Sequence, residues 1–122
     1  MDRDELRKYI SDTYKVNAEH PWIQYPSYEV FRHTDNQKWF ALAMDVPKDK
    51  LGFRETEILQ VLNLKCEPVL IGSLLSELGF FPAYHMNKNS WITVDLYKVS
   101  DDEIRKLTDM SFQMTASRKK VR

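Results

Sequence analysis

Two hydrophobic periodicities follow one another along this chain, and their order limits the folds that it can adopt. Near both ends of the sequence, apolar residues recur at steps of three and four, whereas much of the sequence between them alternates at steps of two. The predicted order of elements is helix, strand, strand, strand, helix, strand, helix. Because strands and helices do not alternate regularly, this order predicts an α+β fold with helices flanking an antiparallel sheet.

Three helices are predicted, and two of them begin at a capping box. Asp2 stands three residues before Glu5, and Ser100 stands three residues before Glu103, which is the spacing of reciprocal N-terminal capping. The middle helix begins at Pro68, since proline in the first helical position loses no hydrogen bond. The predicted inward stripes are Leu6, Tyr9, Ile10, Thr13 and Tyr14 in the first helix, Ile71, Leu74, Leu75 and Leu78, closed by Gly79, in the second, and Ile104, Leu107, Ser111 and Met114 in the third.

Residues 27–46 predict an antiparallel hairpin whose turn lies at Thr34–Gln37. Its second strand is apolar on both faces, with Phe40, Leu42, Met44 and Val46 on one and Trp39, Ala41 and Ala43 on the other. We therefore expect this strand to be central and covered on both sides. Further strands are predicted at 58–66 and 91–97, and residues 80–90 are expected to be irregular.

Composition narrows the class of protein. The 122 residues fit a single domain, predicted at 1–116, followed by a basic C-terminal tail at 117–122. Eighteen Lys and Arg balance eighteen Asp and Glu, so any polyanion must be bound by a local patch. The single cysteine, and the absence of an apolar N-terminal stretch or a run long enough to cross a bilayer, favour a cytoplasmic protein without membrane contact, and a monomer is favoured.

The segment from Tyr84 to Trp91 is the leading candidate site. Its hydrogen-bonding groups and aromatic rings suit contact with a phosphate or nucleotide. The candidate site residues are Tyr84, His85, Asn87, Lys88, Asn89 and Trp91. The alternative is structural: the asparagines shape a turn, Trp91 fills the core, and His85 and Lys88 cap backbone groups.

Basic residues exceed acidic ones by three between Gly79 and Arg122, mostly in the tail that contains Lys119 and Lys120. This tail either contacts DNA backbone or is simply a solvated terminus. Three or four phosphate contacts would make log K fall with log salt at a slope of about −3.

Neither catalysis nor metal binding is expected. Cys66 and His85 lack the third, orienting group that a nucleophile pair needs, and the three histidines lie in separate segments. Three glycines are too few and too scattered for a phosphate-binding loop. No cofactor is predicted.

Several motifs resemble those of the MmcQ/YjbR family of small bacterial proteins. They are Leu64-Lys65-Cys66-Glu67-Pro68, Pro82-Ala83-Tyr84-His85-Met86-Asn87-Lys88, Trp91-Ile92-Thr93-Val94, Trp39-Phe40-Ala41-Leu42 and Ser111. The chain departs from the family pattern at Ile23, where glycine is common, and in a hairpin turn without glycine. The resemblance implies a fold similar to a double-wing DNA-binding domain of a phage transcription factor.

The resemblance implies a DNA-binding protein without enzymatic activity. The residues expected to contact phosphates are Lys88, His85 and Asn87, together with Arg54, Lys119 and Lys120. The alternative is a small-ligand or protein-interaction domain, in which Tyr84, His85, Asn87 and Trp91 line a concave site beside the sheet.

Overall fold

The computed structural model describes residues 1–117, so Lys119 and Lys120 of the predicted tail lie outside the described residues. Those 117 residues form three α-helices, α1 (Arg3–Tyr14), α2 (Pro68–Leu74) and α3 (Asp101–Thr115), and five β-strands, β1 (Glu29–Arg32), β2 (Trp39–Pro47), β3 (Ile58–Lys65), β4 (Phe80–Pro82) and β5 (Trp91–Asp95). A 3₁₀ turn at Lys48–Leu51 follows β2.

The five strands form one antiparallel sheet in the order β1-β2-β3-β5-β4. The buried residues of all three helices share one core with one face of this sheet. The α+β class and the predicted order of elements are therefore confirmed. The structure adds β4, a three-residue strand that pairs with β5 inside the segment predicted to be irregular.

β2 is buried on both faces, as its sequence predicts. Ala41 and Ala43 lie in the core beneath the helices, while Leu42, Met44 and Val46 belong to a second cluster on the opposite face. That opposite face is covered by loop residues, including Trp22, Tyr28, Tyr84 and Met86. The sheet therefore has one face packed by helices and one packed by loops.

A β-bulge at Phe40 reverses the predicted faces at the start of β2. Phe31 pairs with Ala41 and Arg32 pairs with Trp39, which leaves Phe40 as an extra residue. An extra residue resets the alternation of side chains by one position. Phe40 therefore lies in the helix-side core, whereas Trp39 packs against the loop-covered cluster.

α2 is shorter than predicted. The helix ends at Leu74, and Leu78 is 80% exposed instead of continuing the inward stripe. The Ser76 hydroxyl donates to the Ser73 carbonyl, and the Glu77 amide donates to the Leu74 carbonyl, so side-chain and 3₁₀-type hydrogen bonds replace the next helical turn. Gly79 instead adopts φ +91° before β4, where a Cβ atom would lie 2.8 Å from Val99 Cγ2.

The inward face of α3 carries more polar residues than predicted. Thr108 and Thr115 are buried, and Met114 is 39% exposed. Both threonine hydroxyls donate to backbone carbonyls four residues earlier, so they are satisfied without water. The predicted inward stripe of α3 is therefore wrong at Met114, since the neighbouring Thr115 is the buried residue.

Ser111 joins α3 to the two central strands. Its buried hydroxyl donates to the Phe40 carbonyl at 2.5 Å and accepts from the Lys65 amide at 2.9 Å. The ladder of β2 and β3 stops at the pair of Ala41 and Leu64, and its next pair would be Phe40 with Lys65. The hydroxyl thus takes the place of a direct hydrogen bond between the strands and ends the ladder.

His33 packs under the C-terminal turn of α3. Its Nε2 lies 2.8 Å from Thr115 Oγ1, and that hydroxyl donates its single hydrogen to the Ser111 carbonyl. The His33 Nε2–H is therefore the donor in the histidine–threonine pair. Burial lowers the pKa of His33, so the folded protein holds the ring neutral at neutral pH.

Ser111→Ala is expected to destabilise the protein by about 2–4 kcal/mol, because it leaves one buried carbonyl and one buried amide without a partner. Urea unfolding followed by circular dichroism measures the change. Ser73→Ala is the matched control, since the Ser73 side chain is exposed on α2 and its loss should shift stability by less than about 0.5 kcal/mol. Equal stabilities of the two variants would contradict the bridging role of Ser111.

His33→Gln is expected to reduce the loss of stability between pH 7 and pH 5. A folded-state pKa below the unfolded value means that the unfolded chain binds the proton first, so stability falls as pH decreases through about 6.5. Glutamine keeps a donor for Thr115 but does not titrate. Unfolding curves at both pH values test this, and an identical pH dependence in the two proteins would disprove it.

Candidate functional site

A groove of about 400 Å³ lies at the end of the sheet where β2 begins and β3 ends. We call it the lysine groove, and its lining residues are Gln37, Lys38, Trp39, Lys65, Met86, Trp91, Met114 and Thr115. Because Ser111 separates β2 from β3 at this end, the side chains of Trp39 and Lys65 come from strand ends that are not directly hydrogen-bonded to each other.

Hydrogen bonds fix the backbone at both groove lysines, at Lys65 through its amide to Ser111 Oγ and at Lys38 through the hairpin turn. The Lys38 amide donates to Asn36 Oδ1 at 2.9 Å, and Asn36 Nδ2 donates to the Thr115 carbonyl at 2.9 Å, which ties the hairpin turn to the end of α3. Gln37 completes that turn at φ 63°, a left-handed conformation in a turn without glycine. The Lys65 Nζ lies 5.6 Å from the centre of the Trp91 ring.

The positive charge of the groove is not neutralised by ion pairs. Among residues 1–117, six basic residues form ion pairs, and eight take part in none: Lys15, Lys38, Lys50, Arg54, Lys65, Lys88, Lys98 and Lys106. Of these eight, Lys38 and Lys65 line the groove, and Lys88 lies in the turn before Trp91. Asp35 lies in the same turn as Gln37 but lines a different hollow, beside Tyr14 and Phe112. The groove therefore presents free ammonium groups in a protein of zero net charge.

A second hollow of about 290 Å³ lies on the loop-covered face of the sheet. We call it the aromatic cleft, and it is lined by Trp22, Tyr25, Tyr28, Trp39, Leu42, Met44, His85 and Met86. The Trp22 ring is nearly perpendicular to Tyr28 (80°) and to Trp39 (87°), with ring centres 5.9 and 5.7 Å away. Tyr25 stacks on Tyr28 at 4.8 Å.

Turns in the segment before β1 bring these rings together. Pro21 and Pro26 prevent a helix there, and the Tyr25 and Tyr28 amides donate to the Trp22 and Tyr25 carbonyls. Burial raises the pKa of Tyr28, as do the neighbouring Tyr84, Asp45 and Tyr25. The phenol therefore remains neutral in the cleft and can donate or accept a hydrogen bond.

His85 is the predicted polar residue that reaches the aromatic cleft. It is exposed, adopts φ 62°, and its ring centre lies 3.9 Å from that of Tyr84. Tyr84 is partly buried; its amide donates to Thr93 Oγ1 and its carbonyl accepts from Asn63 Nδ2. The buried Asn63 and Thr93 side chains thus anchor the backbone from which His85 projects.

The other members of the predicted 84–91 site shape the turn. Asn87 Oδ1 accepts from the Asn89 amide, and the Asn87 carbonyl accepts from the amides of Ser90 and Trp91. Lys88 Nζ donates to the Ala83 carbonyl at 3.0 Å while its side chain stays exposed. Trp91 is only 8% exposed, so packing is its main role.

Arg54 is not brought together with this segment. It is exposed and precedes β3, which begins at Ile58, whereas the lysine groove lies at the other end of that strand, at Lys65. At about 3.3 Å per residue, the two ends of β3 are roughly 20 Å apart. Lys119 and Lys120 lie outside the described residues.

The described residues offer little to nucleophilic or metal chemistry. Cys66 is 2% exposed, and burial raises the pKa of its thiol. Within residues 1–117, His, Cys, Asp and Glu form no group of three or more that could hold a metal ion. The same part of the chain contains no helix with the length and apolar character of a membrane span.

Sequence reasoning missed Lys38, Lys65, Tyr25 and Tyr28 as site residues. The sequence does contain a signal for Tyr25 and Tyr28. The segment from Trp22 to Trp39 holds more aromatic residues than a single hairpin needs for its core. The lysines gave no signal of their own, because each stands alone at the end of a strand and only the antiparallel pairing brings the two strand ends together.

Known proteins resemble this chain over nearly its whole length. The uncharacterized protein YyaQ of Bacillus subtilis (strain 168) is 35% identical over 116 residues, which covers 94% of this chain and 98% of YyaQ. A crystal structure of a Pseudomonas syringae protein matches with 44% identity and a TM-score of 0.92, covering 95% of this chain and all of that one.

Two further solved structures extend the comparison. A solution NMR structure from Pseudomonas syringae matches with 42% identity and a TM-score of 0.88, covering all of this chain and 98% of that one. Deinococcus radiodurans protein DR2400 matches in fold, with 22% identity and a TM-score of 0.69 over 91% of this chain and 75% of that one. The YjbR family model matches residues 11–114. The chain therefore belongs to the YjbR family, as the motifs in its sequence predict.

Proposed function

We propose that this protein binds DNA without catalysis, through contacts between phosphates and lysines at one end of its sheet. The observation that supports the proposal is the position of Lys38, Lys65 and Lys88, which take part in no ion pair within residues 1–117 and lie in or beside one groove. The other basic residues of this region without an ion pair do not line the groove, and they are Lys15, Lys50, Arg54, Lys98 and Lys106. Lys38 and Lys65 line one groove, and Lys88 lies in the turn that precedes its Trp91 wall.

Binding of this kind is weak and depends strongly on salt. Each phosphate contact contributes about 0.9 to the slope of log K against log salt, so three lysines give a slope of about −3. Lysine contacts to phosphates carry no sequence information. The apolar faces of the three helices are buried against the sheet, so we expect no helix to read base edges in the major groove.

A second candidate is binding of a small ligand or protein segment in the aromatic cleft. It is favoured by His85 and Met86, which project from the predicted 84–91 segment into that cleft. Amide chemical shifts during titration with nucleotides and other anionic metabolites separate the candidates. Changes confined to the cleft, together with no binding to duplex DNA, would favour the second.

Removing both groove charges is expected to weaken DNA binding. In fluorescence anisotropy with a labelled 20-base-pair duplex, Lys38→Gln/Lys65→Gln should reduce the salt slope from about −3 to about −1 and lower affinity at low salt about tenfold or more. The matched control is Lys50→Gln/Lys106→Gln, which removes the same charge from exposed positions outside the groove. Equal effects of the two pairs, or no salt-sensitive binding by the unaltered protein, would disprove the proposal.

Single substitutions show whether DNA contacts the turn that contains Lys88 or the loop that contains Arg54. Lys88→Gln is expected to reduce the magnitude of the salt slope by about one, because Lys88 lies in the turn beside the groove. Arg54→Gln should leave the slope unchanged, since Arg54 lies at the opposite end of β3. The same anisotropy titration measures both, and a larger effect from Arg54 would place the DNA elsewhere.

A further inference from the structure

The aromatic cleft and the lysine groove are neighbouring hollows with a common wall. Trp39 and Met86 line both of them. The bulge at Phe40 produces this arrangement, because it turns Trp39 away from the helix-side core and towards the loop-covered face. A single ligand can therefore contact ring faces on one side of Trp39 and lysines on the other.

The cleft offers a platform for a planar group. Tyr25 is 53% exposed and lies nearly parallel to Tyr28, at an angle of 17°, so the stack has an exposed outer ring. Trp22 forms a wall at right angles to Tyr28. Flat heteroaromatic rings stack on such platforms with little dependence on their identity.

Charge decides which class of ligand fits. Perpendicular aromatic rings also suit alkylammonium ions, which bind to ring faces through cation–π attraction. Here, however, the adjoining groove carries Lys38 and Lys65, and among the described residues that line the two hollows none is a carboxylate. The lysines repel a cation and attract an anion, so the chemistry favours a ligand that is both flat and negatively charged.

We propose that the two hollows together bind a nucleotide, with the base in the aromatic cleft and the phosphate at Lys38 and Lys65. This inference rests on the phosphate contacts of the proposed function and adds a contact with the base. The nucleotide is either a free nucleoside phosphate or an unpaired position in a strand. Bases inside a duplex are already stacked, so the protein should prefer single-stranded DNA to duplex DNA.

The test compares strands with and without bases, using the full-length protein and fluorescence anisotropy. A labelled strand of ten thymidines is expected to bind about tenfold more tightly than an abasic deoxyribose-phosphate strand of equal length, and more tightly than the duplex. Competition by thymidine monophosphate distinguishes a free nucleotide from a strand as the ligand. If thymidine monophosphate displaces the labelled strand at matched nucleotide concentration, the ligand is a free nucleotide. If it does not, the ligand is a strand. Deoxyribose 5-phosphate is the control for competition through the phosphate alone: it should displace the strand less than thymidine monophosphate does, and equal displacement by both would overturn base recognition.

Tyr25→Ala tests where the base binds. This variant is expected to weaken binding of the thymidine strand about fivefold and to leave binding of the abasic strand unchanged, whereas Tyr25→Phe should retain the affinity of the unaltered protein. Tyr97→Ala is the matched control, because Tyr97 is 63% exposed and follows β5 at its far end from Trp91. It should change neither affinity.

The failures of the two proposals are distinguishable. Salt-sensitive binding that is equally tight for thymidine and abasic strands would overturn base recognition and leave the phosphate proposal standing. Preference for the thymidine strand without any effect of Tyr25→Ala would also overturn the inference, because the base would then bind outside the cleft. No binding to any strand or duplex would overturn both proposals.

Discussion

The hydroxyl of Ser111 is the contact on which the candidate site depends. It occupies the position between the Phe40 carbonyl and the Lys65 amide, which in a regular ladder would bond to each other. α3 is thereby fixed to both central strands at one point, and the strands part at the end where the groove lies. The bulge at Phe40 acts at the same place, and it directs Trp39 to the side of the sheet that carries the aromatic cleft.

The sheet divides the molecule into a structural side and a candidate binding side. On one face, three helices cover a core of aliphatic and aromatic residues. On the other face, loops cover a smaller cluster around Val30, Leu42 and Met44, and a cleft remains among their rings. Loops that lie on a rigid sheet are common sites of recognition, because the sheet supplies the rigidity and the loops supply the chemistry. Both hollows of the candidate site lie where the loops meet β2.

The sequence predicts the architecture well and the site only in part. The α+β class and the order of elements can be predicted from three signals in the sequence. These are the alternation in β2 and β3, the capping boxes and the family motifs. The bulge at Phe40 has no sequence signature, because it arises from the pairing of β2 with β1. Lys38 and Lys65 are 27 residues apart in the sequence and line the same groove only through antiparallel pairing and the Ser111 contact. His85 can be predicted because it lies in a compact polar motif, whereas the cleft that it faces is assembled mostly from segments that precede it by about forty to sixty residues.

Amide and indole chemical shifts during titration with a short thymidine strand show whether a nucleic acid lies in the two hollows. The changes are expected to concentrate at residues 22–28, 38–39, 65 and 85–91, and the indole signals of Trp22 and Trp39 should move more than that of the buried Trp91. Changes concentrated on the exposed faces of α1 and α3 would contradict this expectation, because the nucleic acid would then lie on the helix-covered side of the sheet.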